Sequence, residues 1–258
     1  MRRAAALAAV FAVAGCAGGP PPPVTTLGYL HAADDQTSAL EPGQPLESVE
    51  PSLFNDVRAG TDRWWLAVAH AELRAPFAAQ HFDCALGTRL NEQPRPALSR
   101  LMSRLLADAD RLTRTLAAEH PRLRPVASIP GLEPCQRADQ AMRTSPSWPA
   151  SGAAAGALYG ELFSELAPDR ADAVRRIGEE IGRSRAICRM NWPSDVTDGQ
   201  ALGRSLYARI AADPAFRADL DAAREEVRTA RAEGLTNPGC AAERRALAQA
   251  GRGAASAP

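Results

Sequence analysis

The sequence predicts an all-α fold, a single helical-bundle domain. Three observations carry that reading. Leu98, Leu101, Met102, Leu105, Ala109, Leu112 and Leu116 recur at steps of three and four, which is one apolar face of a long helix. Alanine is abundant and aromatic residues make up only 5% of the chain, a balance that favours helix over strand. No segment sustains the period-two alternation of a half-buried strand.

The elements follow in order. Met1-Arg2-Arg3 precedes an uncharged run, residues 4–15. That run is shorter than the ~20 apolar residues a spanning helix needs and fits the apolar region of a signal peptide. Val13-Ala14-Gly15-Cys16 resembles a bacterial lipobox, which implies cleavage after residue 15 and lipid attachment to Cys16. Ala17 at the next position implies the outer membrane, with the domain on its periplasmic face. Residues 16–50 read as a lipidated cysteine and a proline-rich tether, because the run from Pro20 to Pro23 is stiff and extended. The helical domain is expected over residues 51–250, with a flexible tail at 251–258. Trp64, Trp65, Leu66 and Val68 suggest an early core helix. Pro94 and Pro96 open the long helix. Val174, Ile177 and Ile181 make a further stripe. Asp213-Pro214 reads as an N-cap with proline at the first helical position, followed inward by Phe216, Leu220, Ala223 and Val227, and Gly234 ends that helix.

Composition excludes several functions. Thirty basic residues balance thirty acidic ones, and every basic residue is arginine. A chain without lysine has no Schiff-base lysine and no P-loop lysine. Zero net charge argues against a nucleic-acid binder, which needs a basic face. Nothing in the sequence calls for a cofactor. Of five cysteines, Cys84, Cys135, Cys188 and Cys240 remain after Cys16. An even number in an exported protein suggests two disulfides, and three pairings are possible. Pairing in sequence order, Cys84 with Cys135 and Cys188 with Cys240, is the expectation. A metal site is not expected, since no CxxC spacing supports one.

Three short segments carry the chemistry: Arg122-Leu123-Arg124-Pro125, then Ser145-Pro146-Ser147-Trp148-Pro149-Ala150-Ser151-Gly152, then the run from Ser184-Arg185 through Asn191 to Asp195. In order and spacing they resemble the motifs K-x6-R-P, P-S-G-H and S-R-x5-H-x3-D of the class A non-specific acid phosphatases. That family lies within the type 2 phosphatidic acid phosphatase and vanadium haloperoxidase superfamily. Gly28-Tyr29-Leu30, the stretch from Phe82 to Gly87 and the stretch from Asp213 to Leu220 are similar to the family as well. The resemblance implies a helical bundle holding a phosphate pocket. In the family a lysine and arginines neutralise the phosphoryl oxygens, one histidine attacks phosphorus, a second protonates the leaving alcohol, and an aspartate orients the nucleophile. Arginine suits the binding role because it stays charged and grips phosphate bidentately. Histidine suits the others because it titrates near neutrality.

Carried over by position, Arg124 and Pro125 match the first motif, but the lysine position holds Ala117. Ser184, Arg185 and Asp195 match the third motif, but the nucleophile position holds Asn191. The general-acid position falls on Gly152, or on Ala153 if the register shifts by one. No intact catalytic set is left. Arg124, Arg185 and Ser151 remain as phosphate-binding candidates. Asparagine forms no phosphoenzyme, and neither glycine nor alanine donates a proton. Loss of such groups typically leaves ~10³–10⁴-fold over water, against enhancements towards ~10²¹ for phosphomonoesters. A pseudophosphatase that binds phosphate or a phosphoester is therefore the expected function. An active phosphatase of altered chemistry and a structural envelope protein with an idle pocket are the alternatives.

The remaining side chains admit more than one role. His120 stands between Ala117 and Arg124, where it would serve as a rescuing catalyst or as a helix-end histidine. Arg124 and Arg185 would bind an anion, or pair with Asp195 or a nearby glutamate and hold the helices together. Ser151 would face phosphate or cap the following helix. Asn191 would donate to an anion or to Asp195, and Arg189 would fill the pocket. A homodimer is compatible with the resemblance, although no residue requires one.

Overall fold

The computed structural model describes residues 27–30, 57–135 and 137–254, with side chains up to residue 248. Cys16, the tether apart from residues 27–30, and the last four residues of the tail lie outside these residues. Helix α1 spans Asp62–Ala69, and a 3₁₀ turn, Phe77–Phe82, leads into the short α2, Asp83–Leu86. Helix α3 is Pro96–Glu119. Two short helices follow, α4 (Pro125–Ser128) and α5 (Gln140–Thr144). The remaining helices are α6 (Ser151–Leu166), α7 (Ala171–Ile187), α8 (Pro193–Ile210), α9 (Pro214–Ala232) and α10 (Cys240–Ala254). The described residues contain no strand, so the fold is all-α. No helix among them is long and apolar enough to cross a membrane.

The long helix starts where its prolines place it, with Pro96 in the first turn, and all seven residues of the predicted stripe are buried. They meet Phe216, Leu220, Ala223 and Val227 of α9 and Leu158, Tyr159, Leu162 and Phe163 of α6 in one core. Asp213 caps α9 through a 2.9 Å bond from the Phe216 amide, as its Asp-Pro start predicts. In α1 the expectation holds only in part. Arg63, Trp64 and Ala67 face inward, whereas Trp65 is 61% exposed, because adjacent residues on a helix point about 100° apart.

Helix α6 is the axis of the bundle, sheathed by α7 and α8. Its first half, Ser151-Gly152-Ala153-Ala154-Ala155-Gly156, is almost all small residues. A Cβ at Gly178 of α7 would lie 2.4 Å from the Gly156 carbonyl oxygen, and one at Gly203 of α8 would lie 2.2 Å from the Ala154 carbonyl oxygen. Only backbone-on-backbone contact fits there. This close approach places the end of α7 and the start of α8, which carry the third motif, beside the start of α6, which carries the second.

The cysteines pair as Cys84–Cys240 and Cys135–Cys188, not in sequence order. The helices decide this. Cys84 sits in α2 where α10 begins, and Cys188 caps α7 against the loop that carries Cys135. The first bond secures α10, whose Arg245 also reaches Asp62 of α1 at 3.1 Å.

Residues 27–30 are pinned to α3. The Tyr29 amide donates to Asp108 Oδ2 at 2.6 Å, and its hydroxyl donates to Asp219 at 2.7 Å. The Arg104 guanidinium stacks 3.8 Å from the centre of the Tyr29 ring.

Candidate functional site

The three motif segments meet at one end of the bundle and are laced together by backbone groups. The Ser147 amide donates to Arg122 O at 2.7 Å, the Trp192 indole to Leu123 O at 2.8 Å, and the Ala150 amide to Asp195 O at 3.1 Å. A substitution in any one segment therefore reaches the other two.

Asp195 lies in the first turn of α8 and is fully buried. Its Oδ2 accepts from Ser147 Oγ and, at 3.2 Å, from the Trp192 amide, while its Oδ1 accepts from Arg122. The cation that pairs with this carboxylate is Arg122, two residues before the arginine of the motif. Asn191 is also buried, and its amide donates to Ser147 O at 2.6 Å rather than to Asp195. Both side chains are engaged within the protein.

Arg124 is the N-cap residue of α4 and is held from two sides. Its Nε donates to Ser145 Oγ at 3.0 Å and its Nη1 to Met190 O at 2.7 Å. Burial pushes its pKa below the usual guanidinium range, against the pull of Asp195. It clamps the second and third motif segments together.

Arg185, in the last turn of α7, is different. Its Nε is buried and has no hydrogen-bond partner. Burial, and then repulsion by Arg124, bring its pKa down to about 10, so it stays charged at neutral pH. An anion beside this guanidinium would gain a charge-assisted bond without breaking one inside the protein. Its stem lies across Gly152, whose missing Cβ would fall 2.8 Å from Arg185 Cδ.

Arg185, Gly152 and Ser151 line an open cleft of about 320 Å³, together with Leu106 and Asp110 of α3 and the loop from Ala71 to Arg74. Ser151 is exposed in this cleft. It does not cap α6, whose N-cap is Ala150 with no side-chain bond, so the capping expectation fails by one residue. Ala153 faces the other way, 3.2 Å from the position of a Cβ on Gly182 and 3.1 Å from one on Gly199, in the seams with α7 and α8. Of the two registers left open, Gly152 is the one that looks into the cleft. Ala117, Arg124, Asn191 and Asp195 do not line it. A larger hollow of about 450 Å³ lies against α10, lined by Cys84, Ile177, Glu180 and Glu243 among others, and contains none of the motif residues.

Behind the cleft, Ser184 is turned away from it. Ser184 Oγ donates to Glu180 O at 2.8 Å and accepts from Arg63 at 3.0 Å, and His70 Nδ1 lies 2.8 Å away. Arg63 also bonds Glu180 at 3.0 Å. Burial holds His70 well below its ordinary pKa, helped by His81 and Arg63, so it is neutral. This network fixes the residue next to Arg185. His120 caps α3, with its ring edge-on to Trp148 at 5.4 Å, and does not line the cleft. Arg189 sits 5.0 Å from the Trp64 ring centre rather than filling the cleft. Among the described residues no group of three His, Cys, Asp or Glu side chains is placed to hold a metal ion.

Sequence reasoning placed Arg122 in the first motif segment without giving it a role, and it missed Arg63 and Asp110. The roles of Arg122 and Arg63 gave no signal, because their partners are distant in sequence. Asp110 was findable: it lies seven residues before Ala117, on the same face of α3.

No family model matches the chain. Curated proteins do, three of them as follows. The chain is 31% identical over 170 residues to a non-specific acid phosphatase of Salmonella typhimurium, covering 65% of this chain and 68% of that one. It is 29% identical over 168 residues to one of Providencia stuartii, covering 64% and 67%. It is 28% identical over 197 residues to an acid phosphatase of Zymomonas mobilis, covering 75% and 74%. With the all-α bundle and the converging motif segments, these similarities establish that the chain belongs to the class A non-specific acid phosphatase family.

Proposed function

We propose that this protein is an acid-phosphatase-like lipoprotein, anchored through Cys16 at the periplasmic face of the outer membrane. It binds phosphate or a phosphoester at Arg185 and does not hydrolyse it. One contrast carries the reading. Arg185 stands unpaired in an open cleft, whereas the side chains at the nucleophile and orienting positions, Asn191 and Asp195, are bonded within the protein. An anion would stabilise the first, and the second pair offers nothing to attack phosphorus. The relatives' name, acid phosphatase, points to phosphoesters as the ligand class.

Calorimetry with inorganic phosphate and turnover of p-nitrophenyl phosphate test the two halves. Binding is expected in the wild type and lost in Arg185→Ala, with hydrolysis no faster than the buffer. Turnover at the level of an ordinary acid phosphatase overturns the non-catalytic half, and absence of phosphate binding overturns the other. Lipid labelling that disappears in Cys16→Ser tests the anchor.

A further inference from the structure

Four charged side chains line the Arg185 cleft: Glu72, Arg74, Asp110 and Arg185. Two of them neutralise each other at the rim, where Arg74 Nε donates to Glu72 Oε1 at 2.9 Å and the second arm of the fork reaches Oε2. The other two do not. The charge that acts on Arg185 is Arg124, which repels it. Burial raises the Asp110 pKa, and the charge that opposes this is Arg114, an exposed residue one turn along α3. Asp110 accepts a bond from Thr113, but through its backbone carbonyl and not its carboxyl. The cleft thus holds one cation on α7 and one carboxyl on α3, each answering to a different neighbour and not to the other.

Such a cleft is complementary to a ligand carrying both signs. A phosphate on Arg185 alone would meet an uncompensated carboxyl nearby, which disfavours simple phosphates. A cationic group on the ligand turns the same carboxyl into a partner, and charge-assisted bonds are roughly twice as strong as neutral ones.

We infer that Asp110 is a second recognition group, and that the cleft selects a phosphomonoester bearing a primary ammonium group, an O-phosphorylated amino alcohol. Its phosphate sits on Arg185 and its ammonium on Asp110. The inference rests on the phosphate-binding reading of the same cleft.

Calorimetry on the full chain at pH 7.5 tests it with four probes: inorganic phosphate, ethyl phosphate, phosphoethanolamine and glycerophosphoethanolamine. Phosphoethanolamine is expected to bind at least about tenfold more tightly than ethyl phosphate, a difference of about 1.4 kcal/mol. Asp110→Asn should erase that margin and leave ethyl phosphate bound at least as tightly as before. Arg185→Gln should lose both ligands. Equal affinity of the two esters for the wild type overturns the inference while leaving the phosphate reading intact, and this holds even if Asp110→Asn fails to fold. Failure of every probe to bind overturns both. Glycerophosphoethanolamine binding as tightly as phosphoethanolamine overturns the monoester assignment, because it would place the ligand among lipid headgroups.

Discussion

The Cβ that Gly152 lacks would stand 2.8 Å from Cδ of Arg185. The stem of the arginine occupies the space where a side chain at this position would begin. Gly152→Ala therefore has to displace Arg185, at an overpacking cost of about 1–3 kcal/mol. The expected result is a lower urea midpoint together with phosphate affinity weakened by about tenfold, since the guanidinium moves with its stem. Gly152→His displaces it further, and in phosphatase assays this variant alone is expected to give no turnover.

Asp195 and Arg122 make the ion pair that closes the motif segments. The carboxylate is fully buried and the guanidinium is 14% exposed. Removing one member of such a pair costs about 3–5 kcal/mol, because the other is left uncompensated. Arg122→Ala should lower stability by that amount in denaturant titrations. Arg104→Ala, on the surface next to Tyr29, should cost less than half as much.

Gly28 faces Asp108 so closely that a Cβ would lie 1.8 Å from Oδ1. Gly28→Ala must unseat residues 27–30 from α3, breaking the bonds from the Tyr29 and Leu30 amides to Asp108. Tyr29→Phe keeps those bonds and loses only the hydroxyl bond to Asp219, worth about 1 kcal/mol. Limited proteolysis near the N-terminus should therefore accelerate strongly in the first variant and little in the second.

Glu243 gives stability a pH dependence. Burial, and then the Asp83 carboxyl, raise its pKa to about 7. The folded state thus holds a proton that the unfolded chain releases near the ordinary glutamate value. This contribution to stability is full below that value and is lost as pH rises to about 7. Because Glu243 keeps some solvent contact, the loss is expected to be on the order of 1 kcal/mol. Glu243→Gln should flatten this part of the profile, measured as Tm against pH from 5 to 8. His70 acts in the opposite sense. Held neutral by burial, it costs stability as pH falls below the ordinary histidine value.

The Cys84–Cys240 disulfide closes a loop of 156 residues. Chain entropy alone makes such a closure worth about 5 kcal/mol, with measured effects usually nearer 2–4. Cys84→Ser should lose that amount, and hydrogen exchange should report opening of α10 first. Cys135→Ser should instead loosen the segments around Met190 and Arg124.

Much of the fold was legible in the sequence because it is local. The stripe from Leu98 to Leu116 and the Asp213-Pro214 start each depend on residues within a turn or two, where backbone geometry leaves few choices. The site was half legible. Spacing marked Arg124, Arg185, Asn191 and Asp195 as a group, and the segments carrying them do converge. Spacing was silent on what each side chain would touch. Asp195 took Arg122, Asn191 took the Ser147 carbonyl, and Arg124 became a clamp.

By itself the sequence determined the helical class and the family. These follow from residue type and order alone. Only the tertiary structure decided the disulfide pairing, the register that turns Gly152 and not Ala153 to the cleft, and which arginine is left without a partner. The last two depend on how closely α7 and α8 press on α6, a distance set by glycines on facing helices. Because such contacts join residues far apart in the chain, no local pattern records them.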